Sequence, residues 1–458
     1  MIDITHTMLN ATRTLPAEGS SSVSLTQLDR REALVGLTAL GLSTRVPSSL
    51  RGDPLPRKVL LIDLDDIGHE YLEARMTSGG APNLARAFQI GRSYAKFWAA
   101  PTCSIFRGRV LSGLDAYRPG NLIGRHIPDV AAWENFAGPA GLWMPDGLPG
   151  QCVKIGKCHV TGANPFPGVM HARGFDRFVG TRGNLADNGG GYYNWLEQFA
   201  DAQGTGSTQQ TQHNTTRTAQ LALQEIALGV EFINLSFNAV HAPLQNPPAG
   251  EPAGVVYSGS GQSVVKNNML FHLDYWVGEV FKVAVAAGYI VLIACDNGTA
   301  GDGKATHFED GIRTPLVIVG QGVVPGVSPR LVQATDLWAT VRRLRGDTLA
   351  TALDSFDFSD DFLSVPVLHA SRQFLTVDWY PNVGVAFEAS EWSRAIRDAR
   401  WKYVDQKLNP NAIAPEPLVG LWDLDTDPEE KTNLLKSPLT PEALAAHASL
   451  LANLQQLP

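Results

Sequence analysis

An acid and an amide, Asp296 and Asn297, follow the apolar run Tyr289–Ala294, and Lys304 sits on the loop beyond them. Asp and Asn offer hard oxygen donors of the kind that suit Ca²⁺ or Mg²⁺. A lysine beside such a cation points to an anionic group held there. A second apolar run, Val59–Leu64, ends in Asp65-Asp66-Ile67-Gly68. Two unpaired buried carboxylates are too costly to stand together, so adjacent acids at a buried strand end need a cation between them. Asp65, Asp66, Asp296 and Asn297 therefore make a plausible four-residue oxygen cage. Taken alone, Asp65-Asp66 reads as an ordinary polar turn; the later Asp-Asn pair shifts the balance.

Cationic and nucleophilic residues recur at similar places. Cys103 opens a helical pattern after Pro101-Thr102, with Arg107 four residues on. A cysteine at a helix N-terminus has its thiolate stabilised by the helix dipole and by any nearby cation. Arg107 lies one turn away on the same face and reaches the same point. Gly156-Lys157-Cys158-His159 follows another apolar run. Lys157 and His159 can both contact an anion, and His159 can pass protons near neutral pH. His241, in Val240-His241-Ala242-Pro243, is a second proton donor. Each residue has a plain alternative: a structural cysteine, a solvated lysine, a satisfied histidine. Their shared position just past candidate strand ends, where α/β folds bind ligands, is what carries weight.

The elements that must position these residues alternate strand and helix from Val59 onward, the pattern of a large, mostly parallel or mixed sheet flanked by helices. The spacing predicts strands at Val59–Leu64, Cys152–Ile155, Phe232–Phe237, Tyr289–Ala294 and Leu316–Val319. It predicts helices at Asn83–Ile90, Ser104–Ser112, Arg217–Leu228, Leu270–Ala287 and Ala334–Leu344. Asp201–Thr216 and Gln245–Gln262 read as loops, the second able to shape a substrate pocket because it follows His241. From about Ala370 the pattern changes to a smaller antiparallel sheet, with strands Phe374–Val377, Val383–Ala386, Trp401–Val404 and Gly420–Leu424. Glu391–Ala399 reads as a helix within it, and a helix over Pro441–Leu457 closes the chain. The resulting domains are a leader-like segment over 1–52, an α/β catalytic domain over 53–368 and a C-terminal α+β subdomain over 369–458.

Composition bounds the function. At 458 residues the chain can bury a large core, and 44% hydrophobic with 18% charged residues is globular. A net charge of −8 gives no basic footprint for nucleic acid. No apolar run is long enough to span a bilayer. The four cysteines, Cys103, Cys152, Cys158 and Cys295, are too few for a disulfide scaffold, and none forms a zinc-like CxxC. Arg30-Arg31 ahead of the apolar stretch Ala33–Leu42 resembles a twin-arginine export signal, which implies a periplasmic protein. The alternative is an amphipathic surface helix on a cytoplasmic protein.

Four ordered blocks resemble the type I sulfatases of the alkaline phosphatase superfamily. They are Asp65–Gly68 followed by Pro82-Asn83-Leu84; Cys103 with Arg107, followed by Leu111-Ser112-Gly113; Gly156–His159; and Asp296–Pro315. Trp401-Lys402-Tyr403, Leu421–Leu424, Asp427-Pro428-Glu429 and Asn433-Leu434 resemble the family's C-terminal segment, so the likeness runs from about residue 57 to 435. It implies one divalent cation on Asp65, Asp66, Asp296 and Asn297, usually calcium, with magnesium, manganese and zinc as alternatives. It implies that Arg107 and Lys157 hold the nucleophile and the anion. His159 would be the base that releases the product anion, and His241 with Lys304 would serve the leaving group. Cys103 would be the nucleophile position, oxidised to formylglycine in family members. The pattern departs at Ile105, where the family has a proline or a small residue, and at the following Phe106. With Cys103 unmodified, the same site would instead hydrolyse phosphoesters (mono-, di- or triesters) or phosphonates. A third reading is a non-catalytic anion-binding relative. In every case the partner is a small anionic molecule, an ester in the two catalytic readings.

Overall fold

The computed structural model describes residues 56–115, 143–161, 166–188, 190–347, 354–363, 371–379, 393–406 and 418–457. The leader-like segment, with its paired arginines, and the expected strand Val383–Ala386 lie outside these. Ten strands form one sheet: β1 (Lys58–Leu64), β2 (Arg92–Trp98), β3 (Cys152–Lys157), β4 (Arg177–Thr181), β5 (Trp195–Asp201), β6 (Gly204–Gln210), β7 (Phe232–Ser236), β8 (Tyr289–Cys295), β9 (Leu316–Val319) and β10 (Gly326–Gln333). Their order is β10-β2-β9-β8-β1-β7-β3-β4-β5-β6. The centre, β8-β1-β7-β3-β4, is wholly parallel. The carboxyl ends of β1, β3, β7 and β8 therefore open on one edge.

Central strands are covered on both faces, which explains their near-continuous apolar runs. On one face Val59 and Leu61 pack with Ile105, Phe106 and Val110 of helix Cys103–Ser112 and with Leu337 and Val341 of helix Ala334–Leu344. On the other, Leu60 and Ile62 meet helices Pro82–Ile90, Asn214–Leu228 and Gln262–Ala286. Each such aliphatic side chain contributes roughly 1.5–3 kcal/mol by leaving water. Gly156 in β3 has φ +88°, and a Cβ there would lie 1.9 Å from the Ser236 carbonyl oxygen of β7. Only glycine lets the two strands approach so closely just before Lys157.

Four further strands, β11 (Leu375–Trp379), β12 (Ser393–Arg397), β13 (Trp401–Gln406) and β14 (Leu418–Asp423), make an antiparallel sheet in sequence order. Helix Pro441–Gln455 seats Ala443, Leu450 and Leu454 against Ile396, Tyr403 and Leu421 of it. No helix among the described residues is long and apolar enough to cross a membrane.

Two expectations need correction. The helix expected over Glu391–Ala399 is strand β12 where described: Ala395 faces the core beneath the site loop and Ile396 faces the terminal helix. Pairing with β11 and β13 on either side overrides the local helical preference of Ala and Arg. The expected loop Asp201–Thr216 holds β6, paired antiparallel with β5. Asp201 Oδ1 accepts from Gln203 N at 2.8 Å and Gly204 N at 3.2 Å to make the turn. β6 is an exposed edge strand made of polar residues, so hydrophobic alternation could not reveal it.

Candidate active site

Register brings the expected residues together. β1 pairs with β8 so that Leu64 lies beside Cys295. Asp65-Asp66 and Asp296-Asn297 therefore leave the sheet side by side. Asp66 N donates to Asp296 Oδ1 at 3.2 Å, and Asn297 Nδ2 donates to Asp66 Oδ1 at 2.8 Å. All four residues are buried, with relative exposures of 0–2%. Asn297 Oδ1 is buried with no hydrogen-bond partner.

Helix Cys103–Ser112 points its first residue at this cluster. Cys103 Sγ lies 3.2 Å from Asp65 Oδ1 and 4.0 Å from Asp66 Oδ1. One turn on, Arg107 donates through Nη2 to Asp65 Oδ2 at 3.4 Å and Asp296 Oδ2 at 3.2 Å, and through Nη1 to the Lys157 carbonyl at 3.1 Å. Lys157, at the end of β3, ion-pairs with Asp65. Lys304 ion-pairs with Asp66, and its Nζ is 3.5 Å from Cys103 Sγ. His241 follows β7 and places Nε2 4.0 Å from Asp66 Oδ2. His159 leaves the same sheet edge two residues after Lys157, with its N–H on the Arg182 carbonyl at 2.6 Å and its ring beside Gly183.

Backbone strain collects here. Among the described residues, the non-glycine residues at positive φ are Asp66, His159, Ala305 and Glu430. The first two are site residues and the third follows Lys304. Such conformations cost about 1–3 kcal/mol each and persist where the surroundings dictate them.

The electrostatics follow from crowding. Burial and the neighbouring Asp65 push Asp296 up to about 7. Burial opposes ionisation of Asp65, but Lys157, His241, Arg107 and Lys304 outweigh it and hold that carboxyl well below its usual range. Burial, Asp296 and Asp65 push the Cys103 thiol well above its ordinary value. Burial, then Lys157, lowers His241. The donor set fits a divalent cation: three buried carboxylates converge, one amide oxygen lacks a partner, and protein cations press into the space between. Carboxylate oxygens of Asp65 and Asp66, Cys103 Sγ and a ring nitrogen of His241 all lie within 4.8 Å of one another.

Several contributors had no motif to reveal them. Thr299 Oγ1 accepts from Gly68 N at 2.9 Å, tying the two acid-bearing turns together. Tyr192 Oη donates toward the carbonyls of Asn238 at 2.9 Å and His241 at 2.8 Å, fixing the turn that carries His241. Beneath the site, fully buried Lys154 bonds Asn234 Oδ1 at 2.6 Å and Ser236 Oγ at 2.9 Å, and both of these donate to Asp63. Polar residues inside apolar strands were the available signal.

No family model matches the chain. Among curated proteins it is 26% identical over 363 residues to N-acetylgalactosamine-6-sulfatase of Sus scrofa, covering 69% of this chain and 66% of that one. It is 29% identical over 180 residues to choline-sulfatase of Rhizobium meliloti, covering 37% of this chain and 32% of that one. The chain thus spans just under two thirds of the pig relative and about a third of the bacterial one. Among solved structures, the PsFucS1 sulfatase from Pseudoalteromonas sp. superposes with a TM-score of 0.65 at 19% identity, over 88% of this chain and 91% of that one. That likeness shows the alkaline phosphatase-like fold. With the curated matches, it makes the chain similar in sequence and in fold to the type I sulfatases of the alkaline phosphatase superfamily.

Proposed function

We propose that this site hydrolyses sulfate esters, with one divalent cation, calcium, on Asp65, Asp66, Asp296 and Asn297 and with position 103 as the nucleophile. The observation that carries the reading is the convergence at Cys103 Sγ of two cage acids, at 3.2 and 4.0 Å, and the Lys304 ammonium at 3.5 Å. The bound cation would supply a Lewis acid that draws charge from a sulfate oxygen. Formylglycine at position 103 would supply, once hydrated, one hydroxyl for attack on sulfur and a second to expel the sulfate afterwards. The chain's own residues do the rest. Arg107 braces the start of its helix against the cage. Lys157 and Lys304 flank the point of attack with positive charge where equatorial charge develops. His241, at the rim, donates a proton to the departing oxygen as the sulfur–oxygen bond to the alcohol breaks. His159 takes the proton whose loss releases the product anion.

A second reading, hydrolysis of phosphoesters or phosphonates with Cys103 unmodified, draws on Ile105 and Phe106. Both are fully buried in the core, so that segment meets a modifying enzyme only before folding. Peptide mass spectrometry of the segment holding Cys103, paired with 4-nitrophenyl sulfate turnover, tests the choice. An aldehyde and calcium-dependent turnover support the sulfatase reading. A free thiol with turnover of phosphate esters overturns it.

We also propose export by the twin-arginine route, on the strength of Arg30-Arg31. Replacing both with Lys should hold the protein in the cytoplasm; unchanged localisation overturns the proposal.

A further inference from the structure

Cys103 and His241 bring sulfur and nitrogen to a cluster otherwise built of oxygen donors. Cys103 Sγ lies 3.2 Å from Asp65 Oδ1 and 4.0 Å from Asp66 Oδ1, and His241 Nε2 lies 4.0 Å from Asp66 Oδ2. One donor atom from each of the four residues falls within 4.8 Å of the other three. Around a tetrahedral zinc ion, bonds of about 2.0–2.3 Å put neighbouring donors roughly 3.3–3.8 Å apart. The four donors therefore stand near that spacing already. Lys157 and Arg107 take Asp65 through Oδ2, and Lys304 takes Asp66 through Oδ1. Asp65 Oδ1 is left on the side of Cys103, and Asp66 Oδ2 on the side of His241.

The tautomer of His241 is a second, independent sign. Its Nδ1 is 2.9 Å from the Ala242 carbonyl oxygen, which can only accept. Nδ1 therefore carries the hydrogen, and in the neutral ring Nε2 keeps its lone pair on the side of Asp66. Metal-ligating histidines are held in the same way, by donating from the other ring nitrogen to a carbonyl or carboxylate. Burial, then Lys157, favours the neutral ring. Hard oxygens suit calcium, whereas thiolate and imidazole suit zinc. Burial, Asp296 and Asp65 disfavour a free thiolate at Cys103, but a thiol that coordinates a metal is deprotonated outright.

We infer that Cys103, while it remains a thiol, joins His241, Asp65 and Asp66 in a tetrahedral zinc site that excludes calcium. Asp65 and Asp66 serve both metals, so only one ion is held at a time. Asp296 and Asn297 belong to the proposed calcium set alone. With four protein donors the zinc site is closed, and the thiolate it holds cannot attack an ester. Conversion of Cys103 to formylglycine removes the sulfur and leaves the oxygen cage. The inference goes beyond the sulfatase reading and needs only a thiol at position 103, whichever ester the mature protein cleaves.

The test uses metal-stripped protein whose Cys103 is a thiol by peptide mass, with cobalt as the coloured probe and zinc as its competitor. Cobalt should give a thiolate charge-transfer band, which zinc removes and calcium does not produce. Cys103→Ser should lose the band and bind zinc at least a hundredfold more weakly by calorimetry. His241→Ala should weaken zinc at least tenfold. Asn297→Ala should weaken calcium at least tenfold and zinc less than threefold. No band in the wild type would overturn the inference, and that measurement needs no variant to fold. A band that survives in Cys103→Ser would place the metal on another thiol and overturn it too. Equal losses of both metals in Asn297→Ala would merge the two sites into one, which also sinks it.

Discussion

Two buried clusters of acids and bases lie on either side of one loop, and they use the same ingredients differently. The first is the cage, where Asp65, Asp66 and Asp296 face Arg107, Lys157 and Lys304. The second surrounds Glu309, at the far end of the loop that carries Lys304. Its carboxylate accepts from Trp98 Nε1 at 2.9 Å, Lys402 Nζ at 3.2 Å and Arg397 Nη1 at 3.1 Å, and lies 3.3 Å from Arg313 Nε. Lys402, with no exposed surface, also reaches Glu430 Oε1 at 2.7 Å. Each cluster raises one acid to about 7, mainly by burial; repulsion from Asp65 adds to the rise of Asp296, whereas at Glu430 attraction by Lys402 opposes burial and repulsion from Glu309 adds to it. In the Glu309 cluster, bases from β12 and β13 and from the loop itself satisfy the acids, which joins the loop to the small sheet. In the cage, acids crowd one another, an amide oxygen is left without a partner, and a cavity opens alongside. The lesson is that buried charge alone does not mark a candidate site; an unpartnered oxygen donor beside an open cavity does.

The largest expected effect breaks the cage. Asp296→Ala should lower kcat/KM on the order of 10³-fold, since metal assistance supplies several kcal/mol and each 1.36 kcal/mol is a decade. A circular-dichroism spectrum like the wild type's, with activity kept in metal-stripped protein, would refute the cage. Next, Lys402→Met should destabilise the fold by about 3–5 kcal/mol in denaturant titration, because it leaves Glu309 and Glu430 short of a buried counter-charge. A cost under about 1 kcal/mol would place this cluster with weak surface pairs. Calcium at a hundredfold over its Kd should add about 2.7 kcal/mol, read as a rise of a few degrees in the thermal midpoint. Chelator should reverse the rise, and Asp296→Ala should show none; an equal rise in that variant would put the cation elsewhere.

The smallest effect is a pH window that belongs to the Glu309 cluster. Burial would raise Glu309, but Lys402, Arg397 and Arg313 outweigh it and hold the carboxyl down at about 2. A depressed acid stabilises the fold fully above its ordinary value of 4.5 and loses that contribution as pH falls toward 2. Acid unfolding should therefore steepen below about pH 4.5 in the wild type, and less so in Lys402→Met. Parallel curves for the two proteins would remove Lys402 as the cause.

Much of the site was legible beforehand because its chemistry is tied to strand ends. Leu316–Val319 and Ala334–Leu344 occur as expected, and β1, β3, β7 and β8 differ from their expected bounds by one or two residues. What escaped were β2, β4, β5 and β10, which no expected strand covers, together with elements lacking an apolar period: the polar edge strand β6, the strand β12 between its partners, and the helix turns before Leu270, where Gln262, Ser263 and Val264 are exposed.

The sequence by itself determined the residue types and their order along the chain: acids after β1 and β8, a cysteine opening a helix, a lysine and a histidine after β3, and long apolar strands that must be covered on both faces. These are local properties, set by propensity and period. Only the tertiary structure decided that Lys304 reaches Cys103 across 201 positions of chain, and that Glu309 rather than Glu430 is the strongly ionised acid of its pair. Each of these depends on burial and on distances between residues far apart in sequence. Those quantities come into being when the strands take their register and the sheet closes its two cores.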